Sequence, residues 1–234
     1  WSDRIVYDID NEMVLQDERF TDSLNLEMFP SFSPDGKWLY FSTAHPVNMP
    51  MENEKLHYSI VRVPFDEETG KLGAVDTVYS SYERGGTAMM PRITPDGRYM
   101  LFSLSDGGAF NLYHTESDLQ MMDLQTGAIH TLAIVNSGKS DTYHSWSSNS
   151  RWFVFASKRE DGLYGKPYFC YVDKNGRAHK PFCLPQEHPT FYDNNLKSFN
   201  APELGKGKVP FDVDDVVKAM KGQAIQFRTS SLRK

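Results

Sequence analysis

Three segments of this 234-residue chain share one pattern: Phe29-Pro-Ser-Phe-Ser-Pro-Asp-Gly-Lys-Trp-Leu-Tyr-Phe-Ser42, Met90-Pro-Arg-Ile-Thr-Pro-Asp-Gly-Arg-Tyr-Met-Leu-Phe-Ser103 and Tyr143-His-Ser-Trp-Ser-Ser-Asn-Ser-Arg-Trp-Phe-Val-Phe-Ala156. Each reads as a short strand, a tight turn and a more apolar second strand. They recur at intervals of 61 and 53 residues, counted from Trp38 to Tyr99 and on to Trp152. A long-period repeat of strand-only units is the pattern of propellers and solenoids, in which no unit buries its apolar surface alone.

In the first unit Pro30 to Ser33 is an inner strand and Pro34-Asp35-Gly36 its turn: proline presets φ, aspartate bonds back to the backbone, and glycine takes the positive φ that follows. Trp38 to Thr43 is the second strand, rich in residues that suit a pleated, buried surface. The second unit repeats this with Pro95-Asp96-Gly97. In the third, Ser148-Asn149-Ser150 replaces the turn, and Asn still tolerates the geometry. A further hairpin follows each unit, turning at Asp66 to Gly70, at Gln125-Thr-Gly127 and at Lys174-Asn175-Gly176, a strong hairpin signal. The expected fold is therefore an all-β propeller of four-stranded antiparallel blades spanning 27–82, 88–135 and 141–186.

The segment from Arg4 to Gln16 matches only the second hairpin of a unit, so residues 1–20 read as an outer half-blade. Three and a half blades leave an open ring with a cut edge that must pair. The missing strands are expected from an upstream segment or a second chain. After Gln186 the strand pattern gives way to an arm over 187–234. Within it Asp212 caps a helix at 213–221, with Asp215 in the capping-box position and Gly222 as the stop. Val213, Val216, Val217 and Met220 give that helix one apolar face, read as a docked end-cap, with a partner-binding helix as the alternative.

Composition narrows the partners. Hydrophobic residues are 39%, aromatics 13%, mean hydropathy is −0.54, and no apolar run is long enough for a membrane span. The charge of −6 and pI near 5.6 argue against a phosphate-binding surface, and so against nucleic acid. Cys170 and Cys183 lie diagonally on one predicted hairpin, a separation that favours two packed thiols over a disulfide.

No catalytic context stands out. There is no Gly-x-Ser-x-Gly elbow, and Ser137-Gly-Lys-Ser140 lacks the upstream glycine of a phosphate loop. The seven histidines show no metal-ligand spacing, so neither a cofactor nor a metal is expected. The candidates for a channel or partner site are Glu27, Met89, Arg92, Asp141, Tyr143 and His144, which fall on or beside the inner strands. Buried polar groups need partners, so bonds between blades are the simpler reading for Arg92 and His144.

The Ser-Pro-Asp-Gly-Lys/Arg-aromatic repeats with a following Phe-Ser strand resemble the WD40-like repeats of TolB-type propellers over residues 1–186. The run Tyr143 to Ser157, with Phe191-Tyr-Asp193 and Lys197-Ser-Phe-Asn-Ala-Pro-Glu203, is similar to a Bacteroidetes group of TolB-like envelope proteins often labelled cytochrome c biogenesis proteins. That resemblance implies a longer parent, a periplasmic or outer-membrane-associated location, and a Cys-x-x-Cys-His element that this chain lacks. Three functions follow as expectations. The first is a non-catalytic scaffold presenting its rim or channel to a protein, peptide or glycan. The second is an accessory propeller capping a catalytic or haem-carrying domain. The third, ranked last, is a glycan-processing site using Glu27 and Asp141, because glycoside hydrolysis needs two facing carboxylates.

Overall fold

Each repeat forms a hairpin because its turn closes on itself through one hydroxyl and one Asx side chain. Ser33 Oγ donates to Asp35 Oδ1 at 2.6 Å and accepts from the Trp38 amide at 3.0 Å, while the Lys37 amide donates to Asp35. Thr94 and Asp96 do the same for Tyr99 and Arg98, and Ser147 and Asn149 for Trp152 and Arg151. Gly36 and Gly97 take φ of 71° and 73°, and Ser150 takes 58° at the equivalent place. Left-handed backbone is uncommon for a residue with a Cβ. Here it has a use: Ser150 Oγ accepts from the Asp96 amide at 3.0 Å, joining the turns of two blades.

In this computed structural model the described residues are 6–15, 25–48, 51–199, 201–224 and 228–229. β1 (Val6–Asp8) and β2 (Met13–Leu15) form the N-terminal hairpin. Arg4, Ile5 and Gln16 of the expected half-blade lie outside the described residues. The first full blade contains β3 (Leu26–Phe32), β4 (Trp38–Ala44) and β5 (Ser59–Asp66), with both β6 (Lys71–Leu72) and β7 (Asp76–Tyr79) on the far side of β5. This blade thus has five strands where four were expected. A one-turn helix, α1 (Ser81–Arg84), leads to β8 (Thr87–Ile93), β9 (Tyr99–Ser105), β10 (Asp118–Asp123) and β11 (Ile129–Thr131) of the second blade. The third comprises β12 (Asp141–Trp146), β13 (Trp152–Ser157), β14 (Lys166–Tyr171) and β15 (Phe182–Cys183). The outer strands β11 and β15 are only three and two residues long.

The fold is an all-β propeller of antiparallel blades whose sheets do not close into a full ring. On β4, β9 and β13 alternate side chains point to opposite neighbours. Leu39 and Phe41 pack with Val6 and Leu15 of the N-terminal hairpin, while Tyr40 packs against Met100 and Phe102 of the second blade. Tyr99 and Leu101 face Phe153 and Phe155 of the third. Phe41, Phe102, Phe153 and Phe155 are at most 2% exposed, and burying such a side chain fully contributes about 1.5–3 kcal/mol.

Two findings at the C-terminal end differ from expectation. β16 (Arg228–Thr229) runs parallel to β2, opposite Met13 and Val14, and extends the N-terminal sheet. The helix α2 (Val213–Lys221) has the expected Asp212–Asp215 capping box, yet all nine of its residues are exposed and it docks on nothing among the described residues. Capping, an acidic first turn and a basic last turn stabilise it locally. The Cys pair is diagonal, Cys183 standing opposite Tyr168, and both thiols are free. Buried Cys170 donates to the His179 carbonyl at 3.1 Å, and burial pushes its thiol up to about 12.

Thr94 tests the turn. Its side chain is fully buried and serves both Asp96 and Tyr99. Thr94→Val keeps the shape and strands those partners, so urea unfolding should show a loss of about 1–3 kcal/mol. A loss below about 0.5 kcal/mol, within the range of a neutral surface change, would contradict this account.

Candidate functional site

The inner strands β3, β8 and β12 each break register at one place: between Met28 and Ser31, between Met89 and Arg92, and between Thr142 and His144. A left-handed, non-glycine residue sits in each break, namely Phe29 (φ 55°), Met90 (φ 59°) and Tyr143 (φ 47°). Such a conformation costs about 1–2 kcal/mol per residue, and it persists only where surrounding structure over-determines it. Pro30 and Pro91 follow in the first two blades and lack an N–H for the ladder, which helps to open the bulge. His144 takes that place in the third, so its bulge is one residue shorter.

A bulge re-aims the side chains around it. Here the three breaks bring Phe29, Met90 and Tyr143, one from each full blade, to a single cavity of about 160 Å³. Arg92 and His144 complete its protein wall, and Ala201, Pro202 and Glu203 of the arm close it. Past the bulge, Ser31, Arg92 and Ser145 occupy equivalent positions, opposite Tyr40, Leu101 and Val154. Two of these three hold the arm. Ser145 Oγ donates to the Pro202 carbonyl at 3.0 Å and accepts from the Leu204 amide at 3.3 Å. Arg92 lies 3.9 Å from the Glu203 carboxylate.

The six residues singled out from sequence divide accordingly. Arg92, Tyr143 and His144 line the cavity. The Arg92 side chain is 44% exposed, and its backbone is fixed from the third blade because Trp146 Nε1 donates to its carbonyl at 3.1 Å. Burial raises the Tyr143 phenol above its ordinary value. His144 is 4% exposed, with Nε2 donating to the Leu101 carbonyl at 2.9 Å across the blade boundary. Burial drives its pKa down to about 3; the Leu101 carbonyl opposes this and the Arg92 charge adds to it. The imidazole is therefore a neutral strut.

Met89, Glu27 and Asp141 are not part of this lining. Met89 is wholly buried among Leu56, Tyr58 and Ala109, and Glu27 is 6% exposed on β3 opposite Thr43. Asp141 is fully buried, its carboxylate bound by the Ser137 amide and hydroxyl at 2.6 and 2.8 Å and by Arg159 at 3.0 Å. Burial and the charge of Asp141 raise the nearby Asp118 to about 6. Asp141 is thus a structural ion pair holding the 137–141 loop, because a buried carboxylate must be compensated where it stands. The sequence reading missed Phe29, Met90, Ser145 and the arm. The aligned repeats already place Ser31, Arg92 and Ser145 in register ahead of the turn, which was the available signal.

No protein-family model matches the chain, and no curated protein matches it. Solved structures do. A puromycin-hydrolyzing peptidase of Mycobacterium tuberculosis matches with a TM-score of 0.51 at 14% identity, over 78% of this chain and 28% of the peptidase. TolB from Acinetobacter baumannii matches at 0.43 and 18%, over 67% and 32%. The β-propeller domain of the Trilobed protease from Pyrococcus furiosus, described as having an open velcro topology, matches at 0.41 and 15%, over 70% and 44%. The chain spans less than half the length of each, and what is shared is a fold. Among the described residues no helix is long and apolar enough to cross a membrane.

The buried imidazole predicts an acid sensitivity. The unfolded chain protonates His144 near pH 6.5, whereas the folded one holds it neutral to about pH 3. Its contribution is complete above pH 6.5 and is lost as pH falls toward the folded value, with a slope approaching about 1.4 kcal/mol per pH unit. His144→Gln should flatten the pH dependence of the urea midpoint between pH 6 and 4 relative to the native chain. Parallel profiles would contradict the buried neutral assignment.

Proposed function

We propose that this chain is part of a non-catalytic binding scaffold of the bacterial cell envelope, whose open ring presents its inner wall to a protein, peptide or glycan partner. The observation that carries the reading is the convergence of three strained bulges on one cavity with apolar walls and a half-exposed guanidinium. Left-handed residues at equivalent places in three blades are a cost that packing alone does not require, and such strain concentrates at binding sites. A concave, mainly apolar pocket with a few fixed polar groups is the usual form of a recognition site. The envelope location rests on the likeness of the Tyr143–Ser157 and Lys197–Glu203 segments to TolB-like envelope proteins.

The absence of turnover is part of the proposal and is supported by how the two candidate carboxylates are used. Asp141 is committed to Arg159 and Ser137, and Glu27 begins the inner strand of a different blade. Neither lines the cavity. The accessory reading, a propeller capping a peptidase-like or cytochrome c biogenesis-like domain, uses the same wall for a different occupant.

A photo-crosslinking residue at Tyr143 should form an adduct with an envelope protein, peptide or glycan, and one at Phe182, exposed on the outer strand β15 at the rim of the third blade, should not. Adducts from the rim alone would contradict the inner-wall site. Peptide and glycan hydrolysis panels should show no turnover; turnover lost in Glu27→Gln or Asp141→Asn would refute the non-catalytic reading.

A further inference from the structure

The arm is seated on the inner wall in the manner of a bound peptide. Its contacts fall into three kinds. Ser145 binds the backbone of the arm on both sides of Glu203, donating to the Pro202 carbonyl and accepting from the Leu204 amide. This pairing reads main chain and is indifferent to side-chain identity, as in strand-addition recognition of peptides. Pro202 is half-buried and, with Ala201, closes the cavity walled by Phe29, Met90 and Tyr143. Glu203 is exposed and meets Arg92 at 3.9 Å, giving the site one charge-selective contact. Upstream the arm is anchored separately, where the Phe199 amide donates to the Gly165 carbonyl at 2.8 Å and the Gly165 amide to Ser198 Oγ at 3.2 Å.

The hold on Ala201 to Leu204 is light. The Arg92–Glu203 pair is loose, with its side chains 44% and 73% exposed, and exposed pairs of this kind contribute little net stability. Two bonds to one hydroxyl and a half-buried proline remain. From Gly205 to Lys208 the chain is exposed and carries two glycines, so the segment can leave without unfolding a sheet. The wall, by contrast, belongs to strands: Arg92 and Ser145 sit on β8 and β12, tied together by the Trp146 indole.

We propose that Ala201-Pro202-Glu203 is an internal stand-in ligand, and that the inner wall takes in its place an extended peptide carrying proline followed by an acidic residue. The peptide's backbone binds Ser145, its proline closes the cavity between the three bulges as Pro202 does, and its carboxylate pairs with Arg92. The arm masks the site until a partner segment displaces it. This rests on the inner-wall binding reading above and names the class of partner.

The test uses the full chain and a fluorescent peptide of its own residues 197–206 as probe. A tethered competitor acts at an effective concentration in the millimolar range, so the native chain should bind the probe weakly. A Pro202→Gly, Glu203→Lys double variant releases the arm, which faster tryptic cleavage after Lys206 would register, and should bind at least ~10-fold more tightly. Adding Arg92→Gln or Ser145→Ala to that background should remove the gain. Equal affinity of native and released chains would overturn the proposal, as would a gain insensitive to both wall substitutions. If the released chain ignores the probe while Tyr143 still crosslinks a partner, the peptide class is wrong and the scaffold stands. If both fail, both are wrong.

Discussion

Neighbouring blades are joined by the alternation of side chains along the second strand of each hairpin, and every other feature of the chain is built on that joint. A strand in a sheet sends successive residues to opposite faces, and on β4, β9 and β13 both sets are apolar. Leu39 and Phe41 go one way and Tyr40 the other; Met100 and Phe102 go back to the first blade while Tyr99 and Leu101 go on to the third. A sheet that is apolar on both faces is stable only between two others. The wedge arrangement, and with it a wall on which three blades meet, follows from period-2 patterning.

The joint also explains how strain is tolerated at the inner wall. Phe29, Met90 and Tyr143 pack into one cluster with Met89, Tyr58 and Leu56, which fixes the left-handed backbone from several sides. Polar groups tie the same region across blade boundaries: Ser103 to Thr142 at 2.8 Å, His144 to Leu101, and Trp146 to Arg92. The groups that hold two blades together thus also position the one guanidinium that faces the cavity. The cavity lining and the blade joint share residues here, so a change at His144 or Trp146 acts on both.

The architecture was largely legible because it rests on short-range rules repeated three times. Turn residues, aromatic positions and the capping box at Asp212 and Asp215 all act within a few residues. What was not legible depends on contacts far apart in sequence. The commitment of Asp141 to Arg159 and the pairing of β16 with β2 leave no local trace, while β6 pairs locally with β5 across the Asp66–Gly70 turn and at two residues is too short to show a strand pattern. The left-handed residues were hidden for another reason: Phe29, Met90 and Tyr143 are residue types that ordinarily avoid that region, and composition gives no warning. The docking expected of α2 is not seen among the described residues, because an apolar face shows that a helix can pack and says nothing about where.

The seating of the arm on the three-blade wall stands or falls on one contact, the bond between the Leu204 amide and Ser145 Oγ. Amide hydrogen exchange of Leu204, measured in the native chain and in Ser145→Ala at equal pH, tests it directly. The account predicts protection in the native chain that is lost in the variant while β12 and β13 amides stay protected. Equal exchange of Leu204 in both would show that the arm does not occupy the wall.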